Sequence, residues 1–218
     1  MKKIKICHLY GNLLNTFGDV GNVMALAHEA HKKGYETSTE IISTGDEFNP
    51  KNYDFVLLSG GQDYEQKVVL EDIKRIKDDL VSYIENEGIF LAISGGFQIL
   101  GKYYYDIYDK KIEGINIFNH YSTNKSGDKF DGPIKVKDNK TGDIYEGFES
   151  HRSLTYLSDN QQVFATVLEG NGNNGEDKNE GFIYKNTIAT NIHGPLLAVN
   201  DNLCKSIISK IEESITMK

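Results

Sequence analysis

Hydrophobic and polar positions follow two different periods along this chain. Ile4, Ile6, Cys7 and Leu9 form a short apolar run that predicts a first strand over residues 4–9. The Gly18-Asp19-Val20-Gly21-Asn22 loop then opens a helix, since Val23, Leu26, Ala27 and Ala30 recur at helical spacing before Gly34 stops it. Residues 35–43 suit a second strand. Residues 54–59 (DFVLLS) are apolar in the manner of a strand covered on both faces. Between 69 and 85, Ile73, Ile76, Leu80, Val81 and Ile84 mark one amphipathic helix with a charged outer face, closed by Gly88. Residues 89–93 are a further buried strand, and Gly95-Gly96 opens a helix carrying Phe97, Ile99 and Leu100.

Strand and helix thus alternate through the first hundred residues, which implies an α/β fold with a right-handed, doubly wound and mostly parallel sheet. From about 107 to 184 the pattern changes to short strands separated by Gly, Asn and Asp, as in DGPIKVKD and GDIYEGFES, so antiparallel strands and loops are expected there. Residues 169–181 (EGNGNNGEDKNEG) have almost no apolar content and read as a mobile hairpin loop. A last strand over 187–192 leads into His193-Gly194-Pro195, and residues 202–215 read as a closing helix. No internal repeat is visible.

Composition narrows this picture. At 218 residues, 39% of them hydrophobic, one compact domain over 1–218 is expected. The net charge of -8, with no clustered Lys/Arg stripe, argues against a nucleic-acid surface. Cys7 and Cys204 are too few for a disulfide framework and fit small buried hydrophobes in a reducing compartment. The apolar run behind Met1-Lys2-Lys3 is about five residues, against roughly 20 for a bilayer span, so the expected location is cytoplasmic.

In an open parallel sheet, ligands bind beyond the carboxyl ends of the strands, where loops and helix N-termini converge. Three segments reach that edge: Ser59-Gly60-Gly61-Gln62-Asp63, Ile93-Ser94-Gly95-Gly96-Phe97-Gln98 and Ile192-His193-Gly194-Pro195. Ser94 falls at a strand-to-helix turn with small neighbours, which exposes a nucleophile. The Gly60-Gly61 loop and the N–H groups after Ser94 could hold an oxyanion, and His193 could act as general base. Taken singly, a Gly-Gly pair is more often a plain turn and a lone histidine more often a packed imidazole. Their order across three strand ends favours a site.

These residues also carry a resemblance. GDVGN at 18–22, LSGGQDYEQ at 58–66, SGGFQILGK at 94–102, GFESH at 147–151, GNNGEDKNEG at 172–181 and HGPLL at 193–197 are together similar to class I glutamine amidotransferases of the cobyric acid synthase type. Within them the likeness is nearest to the glutaminase subunits of lipid II isoglutaminyl synthase in peptidoglycan synthesis. The resemblance spans nearly the whole chain. It implies a flavodoxin-like, three-layer αβα domain that hydrolyses glutamine and passes ammonia to a Mur-ligase-like partner subunit in a heterodimer. By the same resemblance Ser94 is the nucleophile position, cysteine in the family, and His193 the catalytic histidine. Gly60, Gly61 and Gly95 match the oxyanion region, while Gln98, Lys129 and His151 match residues of the glutamine pocket. Lysine at 129 stands where close relatives place arginine, so a point charge replaces a bidentate fork. No acid follows the histidine in HGPLL, and the resemblance implies that the partner supplies one. It places ATP and magnesium on the partner, leaving this chain without cofactor or metal.

Serine at 94 is the main departure. A cysteine thiol ionises near pH ~8.5 and a helix N-terminus lowers this further, whereas a serine hydroxyl depends wholly on its base. The intact surroundings, SGGFQILG, favour an engineered Cys-to-Ser replacement over a natural variant, and glutamine binding with little or no hydrolysis is expected. Rival readings are a serine hydrolase or peptidase using Ser94 and His193, a silent glutamine-binding subunit, and a cobyrinate-type amidotransferase. The hydrolase reading leaves Gln98 without a use, and a cobyrinate enzyme usually carries a fused synthetase domain. The remaining Asp and Glu residues read as a solvated face.

Overall fold

The computed structural model describes residues 2–217 apart from 125, 126 and 128. Its first half winds as β1 (Lys3–Leu9), α1 (Val20–Lys32), β2 (Glu36–Ile42), β3 (Phe55–Leu58), α2 (Asp63–Ile73), α3 (Lys77–Glu85), β4 (Ile89–Ile93) and α4 (Gly95–Leu100). Then come β5 (Tyr103–Tyr105), β6 (Lys111–Glu113), β7 (Tyr121–Asn124), β8 (Phe130–Asp138), β9 (Ile144–His151), β10 (Ser153–Tyr156), β11 (Gln162–Glu169), β12 (Asn179–Tyr184) and β13 (Thr187–Thr190). Helices α5 (Leu196–Val199) and α6 (Asp201–Met217) end the chain as described.

Among the described residues, nine strands form one sheet in the order β2-β1-β3-β4-β13-β12-β11-β8-β9. The first five are parallel and the rest antiparallel. The doubly wound expectation and the added antiparallel half are both observed. Two small ladders, β5 with β6 and β7 with β10, stand beside it.

Strand side chains alternate between faces, so an apolar run of four feeds two cores at once. Phe55 and Leu57 join one core with Val23 and Leu26 of α1 and Ile207 and Ile211 of α6. Val56 and Leu58 join the other, with Val69, Leu80 and Phe97 of α2, α3 and α4. Each such buried side chain contributes about 1.5–3 kcal/mol. The layering leaves only the strand ends free to build a site.

Two expectations are corrected. The helix expected over 69–85 starts earlier, at Asp63, and is interrupted by a 3-10 turn at Lys74–Ile76. Asp63 and Glu65 in the first turn suit the positive helix end. Ile73 and Ile76 lie three apart, and the 3-10 turn keeps both buried. The segment 169–181 does join the antiparallel pair β11 and β12 as a hairpin connection, but it is not solvated throughout: Asn173, Asn174 and Glu180 are buried. Its donors are taken inside the protein, as Glu149 accepts hydrogen bonds from the N–H groups of Asn171 and Gly172. Polar composition there reflects an internal hydrogen-bond network.

Phe182 on β12 is fully buried and packs its ring against Phe97 of α4 and Phe118. Phe182→Ala should cost about 3–5 kcal/mol, read as a lower urea midpoint with little change in slope.

Candidate active site

Ser94 joins β4 to α4 with φ 50° and ψ -107°, a left-handed backbone that a non-glycine residue adopts only when its surroundings impose it. Its N–H donates to the Thr190 carbonyl at 2.8 Å, and its own carbonyl accepts from Gln98 N–H at 2.9 Å. The turn is tight because its neighbours lack side chains. A Cβ on Gly96 would lie 2.3 Å from the Leu58 carbonyl oxygen, and one on Gly60 would lie 3.1 Å from both Ser94 Cβ and Gly95 N. The Gly60 loop therefore packs directly on the turn. Backbone N–H groups at the start of α4 have no intrahelical partners, so they are available beside Ser94.

His193 follows β13, whose Thr190 pairs with Ile93 of β4, so both residues leave the sheet at the carboxyl ends of adjacent strands. Its backbone exchanges two hydrogen bonds with Phe148, at 2.7 and 3.1 Å. The imidazole is buried, with the Phe17 ring 4.3 Å from it. Neither ring nitrogen makes a hydrogen bond, so none joins it to Ser94 in this state.

A cavity of about 220 Å³ opens over Ser94. Gly61, Gly95, Gln98, Lys129 and His151 all line it, together with Gln66, Asp63, Asp106, Ser150 and Arg152. Gly60 lies behind Ser94, and His193 is outside the lining. Gln66 donates to Gln98 Oε1 at 3.0 Å, fixing both amides. Lys129 donates to Ser150 Oγ at 2.9 Å and is paired with Asp131 at 3.1 Å. The walls thus carry both signs of charge, as a zwitterionic amino acid requires. A larger cavity of about 450 Å³ lies at the opposite strand ends, near Asp54 and Ile89, and no histidine or cysteine is among its described lining residues.

His151 sits 5% exposed, and burial pushes its pKa down to about 4, with the Ser153 carbonyl opposing and the nearby His193 adding to the shift. Its Nδ1 faces that carbonyl at 2.9 Å, so Nδ1 donates and Nε2 carries the lone pair. This Nε2 has no hydrogen-bond partner and lies 3.9 Å from Glu149 Oε2.

The sequence reading placed acids on the surface, yet among the described residues Asp19, Glu29, Asp106, Asp138, Glu149 and Glu180 are buried, three of them almost completely. Asp19, Glu149 and Glu180 are each at most 1% exposed. Glu149 Oε1 accepts from Asn171 N and Nδ2, while Glu180 Oε1 accepts from Thr190 Oγ1 and Asn191 N. Asp19 Oδ2 lies 3.5 Å from His193 Nδ1. The sole sequence signal was that all three fall in motifs already singled out, GDVGN, GFESH and the stretch ending NEG.

Fold and strand-end geometry have the form of an acyl-transfer site, with the Ser94 hydroxyl on a strained strand-to-helix turn and glycine-rich backbone beside it. A model of the CobB/CobQ-like glutamine amidotransferase domain matches residues 5–201. The chain belongs to that family. It is 42% identical over 95% of its length to the GatD subunit of the glutamine-hydrolysing lipid II isoglutaminyl synthase of Streptococcus pneumoniae, covering 80% of that protein. The corresponding Staphylococcus aureus subunit is 33% identical over 96% of this chain and 85% of its own. In fold it is similar to the glutaminase domain of Trypanosoma brucei CTPS, solved with bound acivicin (TM-score 0.58, 10% identity, covering 96% and 94% of the two chains).

Burial raises the Glu180 pKa to about 7, opposed by the Thr190 and Asn191 hydrogen bonds. Its folded value exceeds the unfolded one, so the stability it allows is fully present below the unfolded pKa and is lost as pH rises through 7. Glu180→Gln keeps the acceptor oxygen and removes the charge. It should raise stability at pH 8.5 by about 1–3 kcal/mol and do less at pH 5, as read from melts at the two pH values.

Proposed function

We propose that this chain is the glutamine-hydrolysing subunit of an amidotransferase that amidates the glutamate of lipid II, and that serine at 94 leaves it inactive or weak. The observation that carries the reading is the strained turn at Ser94, opening into a cavity with charges of both signs and backed by the Gly60 loop. Similarity to the two GatD subunits supports the choice of acceptor.

Glutamine enters with its carboxylate toward Lys129 and Arg152, its ammonium toward Asp63 and its side-chain amide over Ser94. In the cysteine form, the nucleophile adds to the amide carbon and the oxygen takes the negative charge beside the Gly60-Gly61 and Gly95 backbone. His193 accepts the nucleophile's proton and returns it to nitrogen as the C–N bond breaks, so ammonia leaves and a thioester remains. Water, deprotonated by the same imidazole, then releases glutamate. A serine hydroxyl resists the first step because it is far harder to ionise. The ammonia goes to a Mur-ligase-like partner in a heterodimer, and that partner carries ATP and magnesium. The reading places the chain in the cytoplasm, where nucleotide and glutamine are available.

Ser94→Cys should release ammonia from glutamine on the order of 10³-fold faster than the serine form, measured by coupled glutamate dehydrogenase. Equal rates in the two forms, or ester cleavage by the serine form, would refute this and favour a serine hydrolase. In the cysteine form, Lys129→Ala should raise KM for glutamine by about tenfold, equal to about 1.4 kcal/mol, with kcat little changed. An unaltered KM removes Lys129 from the pocket.

A further inference from the structure

We propose that Gln66 sets the direction of the Gln98 side-chain amide, so that Gln98 offers N–H donors to the cavity and selects an acceptor oxygen on the bound ligand. Glutamine as that ligand rests on the glutaminase reading above. Gln66 is then a positioning residue, acting through Gln98.

A carboxamide has one accepting and one donating end, so its direction follows from what its neighbours demand. Gln66 is buried in the first turn of α2, and Gln98 stands half-buried in the first turn of α4. Gln66 Nε2 donates to Gln98 Oε1 at 3.0 Å. That bond occupies the oxygen of Gln98 and leaves its NH2 for a ligand. Both side chains line the cavity over Ser94.

The other end of the Gln66 amide also has a place. A Cβ on Gly95 would lie 2.6 Å from Gln66 Oε1, so the absent side chain makes room for that oxygen. Gly95 opens α4, where backbone N–H groups lack intrahelical partners, and an oxygen is favoured there over an NH2. A competing demand comes from Tyr104, whose buried hydroxyl lies against Gln66 without a hydrogen-bond partner. Reversing both amides would give that hydroxyl an acceptor and would turn the oxygen of Gln98 toward the ligand. The oxygen beside Gly95 and the bond to Gln98 carry the first direction.

Backbone and ion-pair contacts hold the pair in register. Asp63 Oδ2 accepts from Ile107 N–H at 2.8 Å, and Lys67 Nζ donates to Asp106 Oδ2 at 2.6 Å. These two bonds flank Gln66 in the chain and tie α2 to the turn after β5. Gln98 is fixed by its own N–H, which donates to the Ser94 carbonyl at 2.9 Å.

The consequence is selection by polarity. An oxygen of the ligand completes a hydrogen bond with Gln98, whereas an N–H in its place leaves two donors facing each other, both without an acceptor.

Titration calorimetry of the Ser94 chain with L-glutamine reads binding without turnover. Gln66→Glu has the same shape but, ionised, only accepts, so Gln98 turns its oxygen to the ligand, and Kd should rise about tenfold. Gln66→Met keeps the length, leaves Gln98 undirected and should raise Kd by less. Tyr104→Phe should leave Kd within about twofold. A Kd unmoved by Gln66→Glu, or raised as far by Tyr104→Phe, overturns the proposal. Hydrogen exchange of the side-chain amides, followed by ¹⁵N NMR in the ligand-free chain, reads the direction itself, with signals assigned from Gln66→Met and Gln98→Met. Gln66 Nε2–H should be protected and Gln98 Nε2–H should exchange freely; the opposite pattern overturns the assignment. If Gln66→Glu fails to fold, the exchange pattern of the unaltered chain decides. Protection of Gln66 Nε2–H in a chain that binds no glutamine, and whose Ser94→Cys form releases no ammonia, would sink the glutaminase reading and leave the Gln66–Gln98 direction standing.

Discussion

Close backbone approach at the Ser94 turn is the constraint on which the site depends. Helix α4 starts directly above β3 because Gly96 has no Cβ to strike the Leu58 carbonyl, and the Gly60 loop closes over the turn for the same reason. The left-handed backbone of Ser94 is the cost of that geometry, about 1–3 kcal/mol by general experience. Packing of two cores against β4 holds the strained residue in place. Its side chain consequently stands at the strand end, in the cavity, with backbone N–H groups beside it.

Around this turn the protein buries more polar and ionisable groups than its surface-like composition suggests. Glu149 ties β9 to the connection between β11 and β12 through Asn171 and Gly172, within the antiparallel half. Glu180 ties β12 to the end of β13 through Thr190 and Asn191, and so holds the chain just before His193. Buried carboxyls are poor sources of net stability, since desolvation offsets much of their attraction. Their benefit here is positional. The segment that carries His193 is held by Phe148 on β9 and by Glu180 on β12.

Much of this was legible in the residues. The parallel half could be read because fully buried strands are continuous apolar runs, and Phe55–Leu58 and Ile89–Ile93 are such runs. Ser94, Gly61, Gly95, Gln98, Lys129 and His151 were named from motifs, and they do share a cavity. Failures came where local composition misleads. Residues 169–181 look solvated because they are polar, yet Asn173 takes the Gly181 N–H and Glu149 takes two more donors, replacing water inside the fold. The helix break at Lys74–Ile76 was hidden because a 3-10 turn and an α-helix both bring residues three apart to one side.

The sequence by itself determined the alternation of strand and helix, the two-faced core strands and the order of the three strand-end segments, because these follow from side-chain period and glycine placement. Only the tertiary structure decided which distant groups meet. Asp19 and His193 are brought together by Asn22 on Leu197 and by Gly21 against Pro195, contacts between helix starts with no periodic signal. Burial of a carboxyl depends on the neighbours that enclose it, and those neighbours are assembled from strands far apart in the chain.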